Sequence, residues 1–274
     1  MPNTLDASSS KDIGIFALFK GPSGAGKTVA ALSFPNPYVF DFDHKMPAIA
    51  RKHFPKKSID YDVYTDIDTV ANKLTDWINT GNCTYETLVF DSITALVRLI
   101  MNSIAAIKGE STPQMLKTMK STRGGSKMVE LLGFDYYNAE VRFIDWILSA
   151  AKILYSKQGN PKHIIFIGHI VEIRSKPNIT TGLVTITRSI MTLGNKAPAM
   201  IPGEFDEVYM FGTKEIGGAS AQDPESKIHH YMTTVTAGED DAKTAFNLAR
   251  ETDFTDGSLY NKLIAQITGA EMMV

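Results

Sequence analysis

The run Gly21-Pro22-Ser23-Gly24-Ala25-Gly26-Lys27-Thr28 places glycines, a lysine and a hydroxyl at the spacing G-x-x-x-x-G-K-[ST], the pattern of a loop that cradles phosphates. Glycines let backbone N–H groups converge on a β-phosphate without Cβ obstruction, and a following helix adds its positive N-terminal end. On this reading Gly21, Pro22, Ser23, Gly24, Ala25, Gly26, Lys27, Thr28 and the next residue, Val29, hold ATP. Lys27 reaches the β- and γ-phosphates, and the Thr28 hydroxyl ligates Mg²⁺. Ser23 does not complete G-x-S-x-G, so a nucleophile elbow is set aside.

Cleaving a bound triphosphate also requires a carboxylate for the metal and a group that orients water. Asp91 directly follows the apolar run Thr87 to Phe90. That places its carboxylate at the strand's C-terminal edge beside the phosphate loop, as the second metal ligand with Thr28. Ser92 either bonds to metal-bound water or caps the next helix. Asp41 and Asp43 close another apolar run, and their i, i+2 spacing sends both to one face if the strand persists. Asp43, farther toward the same edge, is the expected base or water-positioning group. Asp41 pairs with Lys45 or caps a turn. His44, His53, His163, His229 and His230 show no metal-ligand spacing, and no zinc is expected.

The elements that must position these groups are legible as patterns. Ile13 to Leu18, Tyr38 to Phe42, Thr87 to Phe90 and His163 to Ile167 are short apolar runs suited to strands buried on both faces. Between them lie amphipathic stretches. Asp68 to Asn79 carries Val70, Leu74, Trp77 and Ile78 on one face, and Asn138 to Tyr155 carries Val141, Ile144, Ile147 and Leu154. Strands alternating with helices predict an α/β fold with a mainly parallel central sheet flanked by helices. The β-rich pieces Leu183 to Thr187, Phe205 to Phe211 and Ile228 to Val235 predict antiparallel strands added toward the C-terminus, and Ser258 to Ile267 predicts a closing helix. Residues 1–12 are polar and read as a flexible tail. Residues 13–274 read as one domain, with mobile loops near 109–133 and 174–200.

Composition narrows the function classes. With 28 basic against 30 acidic side chains the formal charge of the 274 residues is -2. A global polycation that coats duplex is excluded, and any nucleic-acid surface must be local. Hydrophobic residues at 43% and charged residues at 21% exclude disorder of the whole. The lone Cys83 excludes an intramolecular disulfide framework and a cysteine-cluster zinc site. No apolar run approaches the roughly 18 residues of a membrane span, and no basic region precedes an apolar stretch at the N-terminus. A cytoplasmic protein without a membrane partner is expected.

These residues resemble the RecA-like recombination ATPases of the P-loop class. Val39-Phe40-Asp41-Phe42-Asp43-His44 is similar to the RecA segment ending in the catalytic glutamate. The resemblance implies that role for Asp43, one methylene shorter, and hence slow hydrolysis. Leu88-Val89-Phe90-Asp91-Ser92-Ile93-Thr94-Ala95-Leu96 resembles the Walker B strand, Asp-Ser pair included, and Ile165-Phe166-Ile167-Gly168-His169-Ile170 resembles the strand ending in the γ-phosphate sensor. The implied catalytic set is Lys27, Asp43, Asp91 and His169. A closer resemblance, to compact RecA-like ATPases of bacteriophages that anneal or recombine single strands, rests on Ser33-Phe34-Pro35, on Ile201-Pro202-Gly203-Glu204-Phe205-Asp206-Glu207-Val208 and on Ala242-Lys243.

The resemblance implies a Mg²⁺-dependent ATPase stimulated by single-stranded DNA that promotes annealing or homologous recombination. It also implies self-association into a ring or filament, a single-strand-binding protein as partner, and a place in the host cytoplasm. RecA-like proteins hold single strands with two loops. Lys117, Lys120, Arg123 and Lys127, with Gly124-Gly125, fall in the first such place, and Arg174, Lys176 and Arg188 in the second. Lys196, Lys214 and Lys243 are candidates for the cation that such proteins borrow from an adjacent protomer. Two other classes use the same loop: a nucleotide-gated replication or packaging accessory protein with little turnover, and a small-molecule P-loop kinase with 109–133 as its lid.

Overall fold

Phe40, Phe90 and Phe166 occupy one register row on three neighbouring strands and lie nearly parallel, Phe40 to Phe90 at 4.4 Å and Phe90 to Phe166 at 4.2 Å between ring centroids. Such a ladder forms only if the apolar runs that carry it lie side by side in one direction. The computed structural model, which describes residues 13–107, 134–157, 161–174, 186–192, 196–217, 227–235 and 242–269, arranges them so.

The elements are β1 (Ile15–Gly21), α1 (Lys27–Ala31), β2 (Pro37–Asp41), α2 (Met46–His53), β3 (Asp60–Val63), α3 (Ile67–Thr80), β4 (Thr87–Asp91) and α4 (Ile93–Ile107). They continue with α5 (Phe134–Tyr155), β5 (His163–Arg174), β6 (Ile186–Ile190), α6 (Lys196–Met200), β7 (Glu207–Ile216), β8 (Lys227–Thr233), β9 (Glu251–Asp253) and α7 (Leu259–Thr268). Among the described residues the sheet order is β3-β2-β4-β5-β1-β7-β8-β9, with β6 paired to β5. Neighbours from β3 to β7 are parallel, and β7-β8, β8-β9 and β5-β6 are antiparallel. This is the α/β architecture expected from the sequence. With β5 inserted between the loop-bearing β1 and the acid-bearing β4, it is a RecA-like P-loop fold.

Register explains why the site assembles where it does. Gly21 pairs with His169, Asp41 with Asp91, and Asp91 with Ile167. The ends of β1, β2, β4 and the parallel part of β5 therefore share one edge. Phe16, Phe40, Phe90, Phe166 and Phe205 pack on one face of the sheet with residues of α3, α4 and α5. Phe19, Phe34, Tyr209 and Phe211 pack on the other with residues of α1, α2 and α7.

Two boundaries differ from expectation for physical reasons. β3, with the sequence Asp60-Tyr61-Asp62-Val63, was not legible as a strand because it is an exposed edge whose charges keep other edges away. Asp62 accepts from the Tyr38 hydroxyl at 2.7 Å and from Lys73 at 2.5 Å, which ties β3 to β2 and α3. α5 begins at Phe134, before the expected Asn138. By contrast α3 is close to its predicted span. The Asp66 side chain caps it by accepting the Thr69 N–H at 2.7 Å, and Gly81 at φ 69° ends it. Among the described residues no helix is long and apolar enough to cross a membrane.

Candidate active site

β1 delivers the chain to the sheet edge at Gly21, and the phosphate loop turns back through Gly24 at φ 82° and Gly26 at φ 86° before α1 starts at Lys27. A side chain at Gly26 would be doubly penalised. The left-handed backbone disfavours it, and its Cβ would stand 3.0 Å from Phe254 and 3.1 Å from His230 Nδ1. Lys27 is buried, and its ammonium donates to the carbonyls of Gly21 at 2.9 Å and Pro22 at 2.7 Å.

Thr28 Oγ1 donates to Asp91 Oδ2 at 2.7 Å, so the two expected metal ligands touch. Burial pushes the Asp91 carboxyl up to about 6; the Thr28 bond opposes that rise, and the Asp43 and Asp41 charges add to it. Burial likewise lowers Lys27 to about 8, against the attraction of Asp91 and Asp43. A hydroxyl and a carboxylate are hard oxygen donors of the kind Mg²⁺ takes beside substrate phosphates and water. A deeply buried carboxylate with neighbouring acids gains most from such a cation, so the residues present fit the metal.

The expectation that Asp41 and Asp43 share a face is corrected. β2 ends at Asp41, and the chain turns through His44 at φ 58°. Asp41 is drawn back to accept the backbone N–H groups of Lys45 at 3.2 Å and Met46 at 2.9 Å, so it caps the entry to α2. Asp43 instead accepts from Ser92 Oγ at 3.1 Å, with Lys45 Nζ at 3.5 Å and His169 Nε2 at 3.7 Å. His169 foremost, with Lys45 and Ser92, holds the Asp43 carboxyl down at about 2 against its burial. Ser92 Oγ also accepts the Ala95 N–H at 3.3 Å, so it caps α4 while it holds Asp43. The other ring nitrogen of His169, Nδ1, lies 3.4 Å from Lys27 Nζ. Lys27, His169, Asp43 and Lys45 thus form a continuous polar chain.

These groups line a cavity of about 440 Å³, together with Ser23, Gly24, Gly26, Thr28, Val29 and Asp91. Of the remaining predicted loop residues, Gly21 and Pro22 supply carbonyls to Lys27, and Ala25 is buried in the core. The far wall was not anticipated: Ile49, Lys52 and His53 come from α2, and His230, Phe254, Thr255 and Gly257 from the C-terminal part of the chain. Their placement depends on strand pairing across the sheet. Phe254 N–H donates to the His230 carbonyl at 2.9 Å, the His230 N–H to Thr255 Oγ1 at 2.8 Å, and the Tyr260 N–H to Ser33 Oγ at 3.0 Å beside α1. The only sequence signal was the apolar, turn-rich texture of that region.

The predicted DNA contacts are not brought together here. Lys117, Lys120, Arg123, Lys127 and Lys176 lie outside the described residues, as do the tail 1–12, the loop 109–133 and part of 174–200. Arg174 ends β5. Arg188 Nε lies 3.8 Å from Glu172 Oε2 and borders a second groove with Pro22, Lys214 and Arg250. Lys214 pairs with Glu251 at 2.5 Å, Lys196 begins α6, and Lys243 is exposed, its backbone bridged to Val208.

Fold and site together define a class, the RecA-like P-loop ATPases. Within it, the chain belongs to the AAA domain family, which it matches over residues 14–246. It is similar to a solved KaiC-like protein from the hyperthermophilic archaeon Pyrococcus horikoshii OT3, at 12% identity and a TM-score of 0.36, over 80% of this chain and 77% of that one. It is also similar to the solved RadB recombinase, at 14% identity and a TM-score of 0.36, over 81% of this chain and 89% of that one. No curated protein matches it.

Proposed function

We propose that this chain binds ATP with Mg²⁺ and hydrolyses it. The observation that carries the reading is the contact between Thr28 and Asp91, 2.7 Å apart at the end of the phosphate loop, with Asp43 and His169 inside the same cavity. Thr28 and Asp91 would hold the magnesium ion, which supplies charge neutralisation on the β- and γ-oxygens when bound. The loop backbone and Lys27 hold the triphosphate and orient its terminal phosphorus.

Asp43, ionised throughout the working range, accepts a hydrogen bond from water and aims its oxygen at that phosphorus. The oxygen–phosphorus bond forms as the bond to the bridging oxygen breaks, and ADP leaves with that electron pair. One water proton stays on the phosphate and the other reaches solvent. His169, between Lys27 and Asp43, responds to the terminal phosphate. A carboxylate held at about 2 is a weak proton acceptor. That supports Asp43 as a positioning group, and it is the specific observation favouring the second reading, a nucleotide-gated accessory protein with little turnover. Single-turnover hydrolysis separates the two.

We further propose that the chain uses this cycle on single-stranded DNA, to promote annealing or recombination, and assembles with copies of itself. The RecA-like sequence resemblance and the cations at Lys117, Lys120, Arg123 and Lys127 support that reading. ATPase rates with and without single-stranded DNA at low salt test it: stimulation is expected, and its absence refutes the DNA reading.

A further inference from the structure

The active site carries a second ammonium group that no role above uses. Lys45 follows the turn after β2, lines the nucleotide cavity, and places Nζ 3.5 Å from Asp43 Oδ2 with its side chain 59% exposed. We propose that Lys45 is a catalytic residue acting in cis: it leaves Asp43 when ATP is bound and neutralises charge developing on the γ-phosphate oxygens. The inference rests on the hydrolytic reading above and departs from the expectation that an adjacent protomer supplies this cation.

Position singles out Lys45. The site needs positive charge at two ends of the transferring group. Lys27 is fixed at one end by the Gly21 and Pro22 carbonyls. At the other end stands Asp43, the group that orients water, with Lys45 in ion-pair contact. Lys52 also lines the cavity, but it lies seven residues farther along α2, about 10 Å by helical rise. Lys214 is occupied by Glu251 and borders the separate groove behind Pro22.

The Lys45 side chain is also free to move. An ion pair this exposed is worth little, about 0–1 kcal/mol, so a terminal phosphate of higher charge displaces Asp43 as its partner. Anchoring does not depend on the side chain, because the bond to Asp41 is made by the Lys45 backbone N–H. Removing the ammonium therefore leaves the turn intact, and Asp43 remains held by Ser92.

The test is single-turnover ATP hydrolysis by the full chain with Mg²⁺, with and without a thymidine oligonucleotide, for wild type, K45A and K45R. Binding of a fluorescent ATP analogue is measured in parallel. The expected result is about a 10²-fold loss of turnover in K45A, with analogue affinity within threefold of wild type and most of the rate recovered in K45R. An equimolar mixture of K45A with K27A, which retains Lys45 but lacks the loop lysine, is expected to gain nothing over the two proteins measured apart. Wild-type turnover that survives K45A within twofold, or a mixture that recovers wild-type rates per intact site, overturns the cis assignment and leaves hydrolysis standing. Absence of turnover in wild type with intact analogue binding overturns the hydrolytic reading and this inference together.

Discussion

Thr28 Oγ1 donates a 2.7 Å hydrogen bond to Asp91 Oδ2, joining the phosphate loop to the end of a strand that is not its neighbour in the sheet. β5 stands between β1 and β4, so the gap is bridged by side chains reaching over the strand ends. The contact gathers a hydroxyl, a buried carboxylate and the Lys27 ammonium at one point, and each of these groups has a consequence that can be measured.

Asp91 is a functional acid held at a cost to stability. Its folded value of about 6 lies above the usual carboxylate value of 3.8. The native state therefore binds the proton more tightly, and the stability this contributes is present below about 4 and lost as pH rises through about 6. Asp91→Asn removes the penalty. At pH 7.5 it is expected to stabilise the fold by about 1–3 kcal/mol while abolishing Mg²⁺-dependent nucleotide binding. Urea melts at pH 4.5 and 7.5 check this, with the gain expected at the higher pH alone.

The acid and base limbs of turnover follow from the same two groups. Below about 6 Asp91 is protonated and loses its hold on the metal, and above about 8 Lys27 loses its charge. A plot of kcat/KM against pH is expected to peak between those values, because it reports the free protein's ionisations. Asp43, at about 2, titrates outside that window. Asp43→Asn should lower the whole curve by about 10²-fold without moving either limb.

Gly26 meets both walls of the cavity. Gly26→Ala puts a methyl group against Phe254 and His230 on a left-handed backbone. A stability loss of about 1–3 kcal/mol and at least a tenfold loss of ATP affinity are expected, read by thermal melting and by fluorescence titration. A neutral outcome on both would mean that the far wall does not close on the nucleotide.

The loop cations test the DNA reading separately from nucleotide chemistry. The double variant K120A/R123A is expected to weaken single-strand binding about tenfold at low salt. It should also flatten the salt dependence by about one unit of slope, with ATP binding preserved. Anisotropy of a labelled oligonucleotide across a salt series measures both.

How far the sequence reached follows from where each element sits. β1, β2, β4 and β5 are buried on both faces and could be read as continuous apolar runs, and the phosphate loop is local in sequence, as is Asp91 at its strand's end. β3 escaped because an edge strand has no such run. Asp41 and Asp43 were separable only once the strand's last residue was known, since one residue of extension decides which acid faces the turn. His230 and Phe254 were beyond reach for another reason. They become neighbours of Gly26 through the pairing of β8 with β9 and the docking of α7, and periodicity carries no record of long-range pairing. His230 had no metal-ligand spacing, yet it lines the cavity through its position on a strand.

The central claim is that a Mg²⁺-bound triphosphate sits on the loop at Gly26 and Lys27. Titration calorimetry of ATP with Mg²⁺ into wild type and K27A tests it most directly. Saturable uptake by wild type near one nucleotide per chain, weakened at least about 100-fold in a K27A protein of unchanged circular dichroism, is the predicted result. Equal uptake by both proteins, or none by wild type, would contradict it.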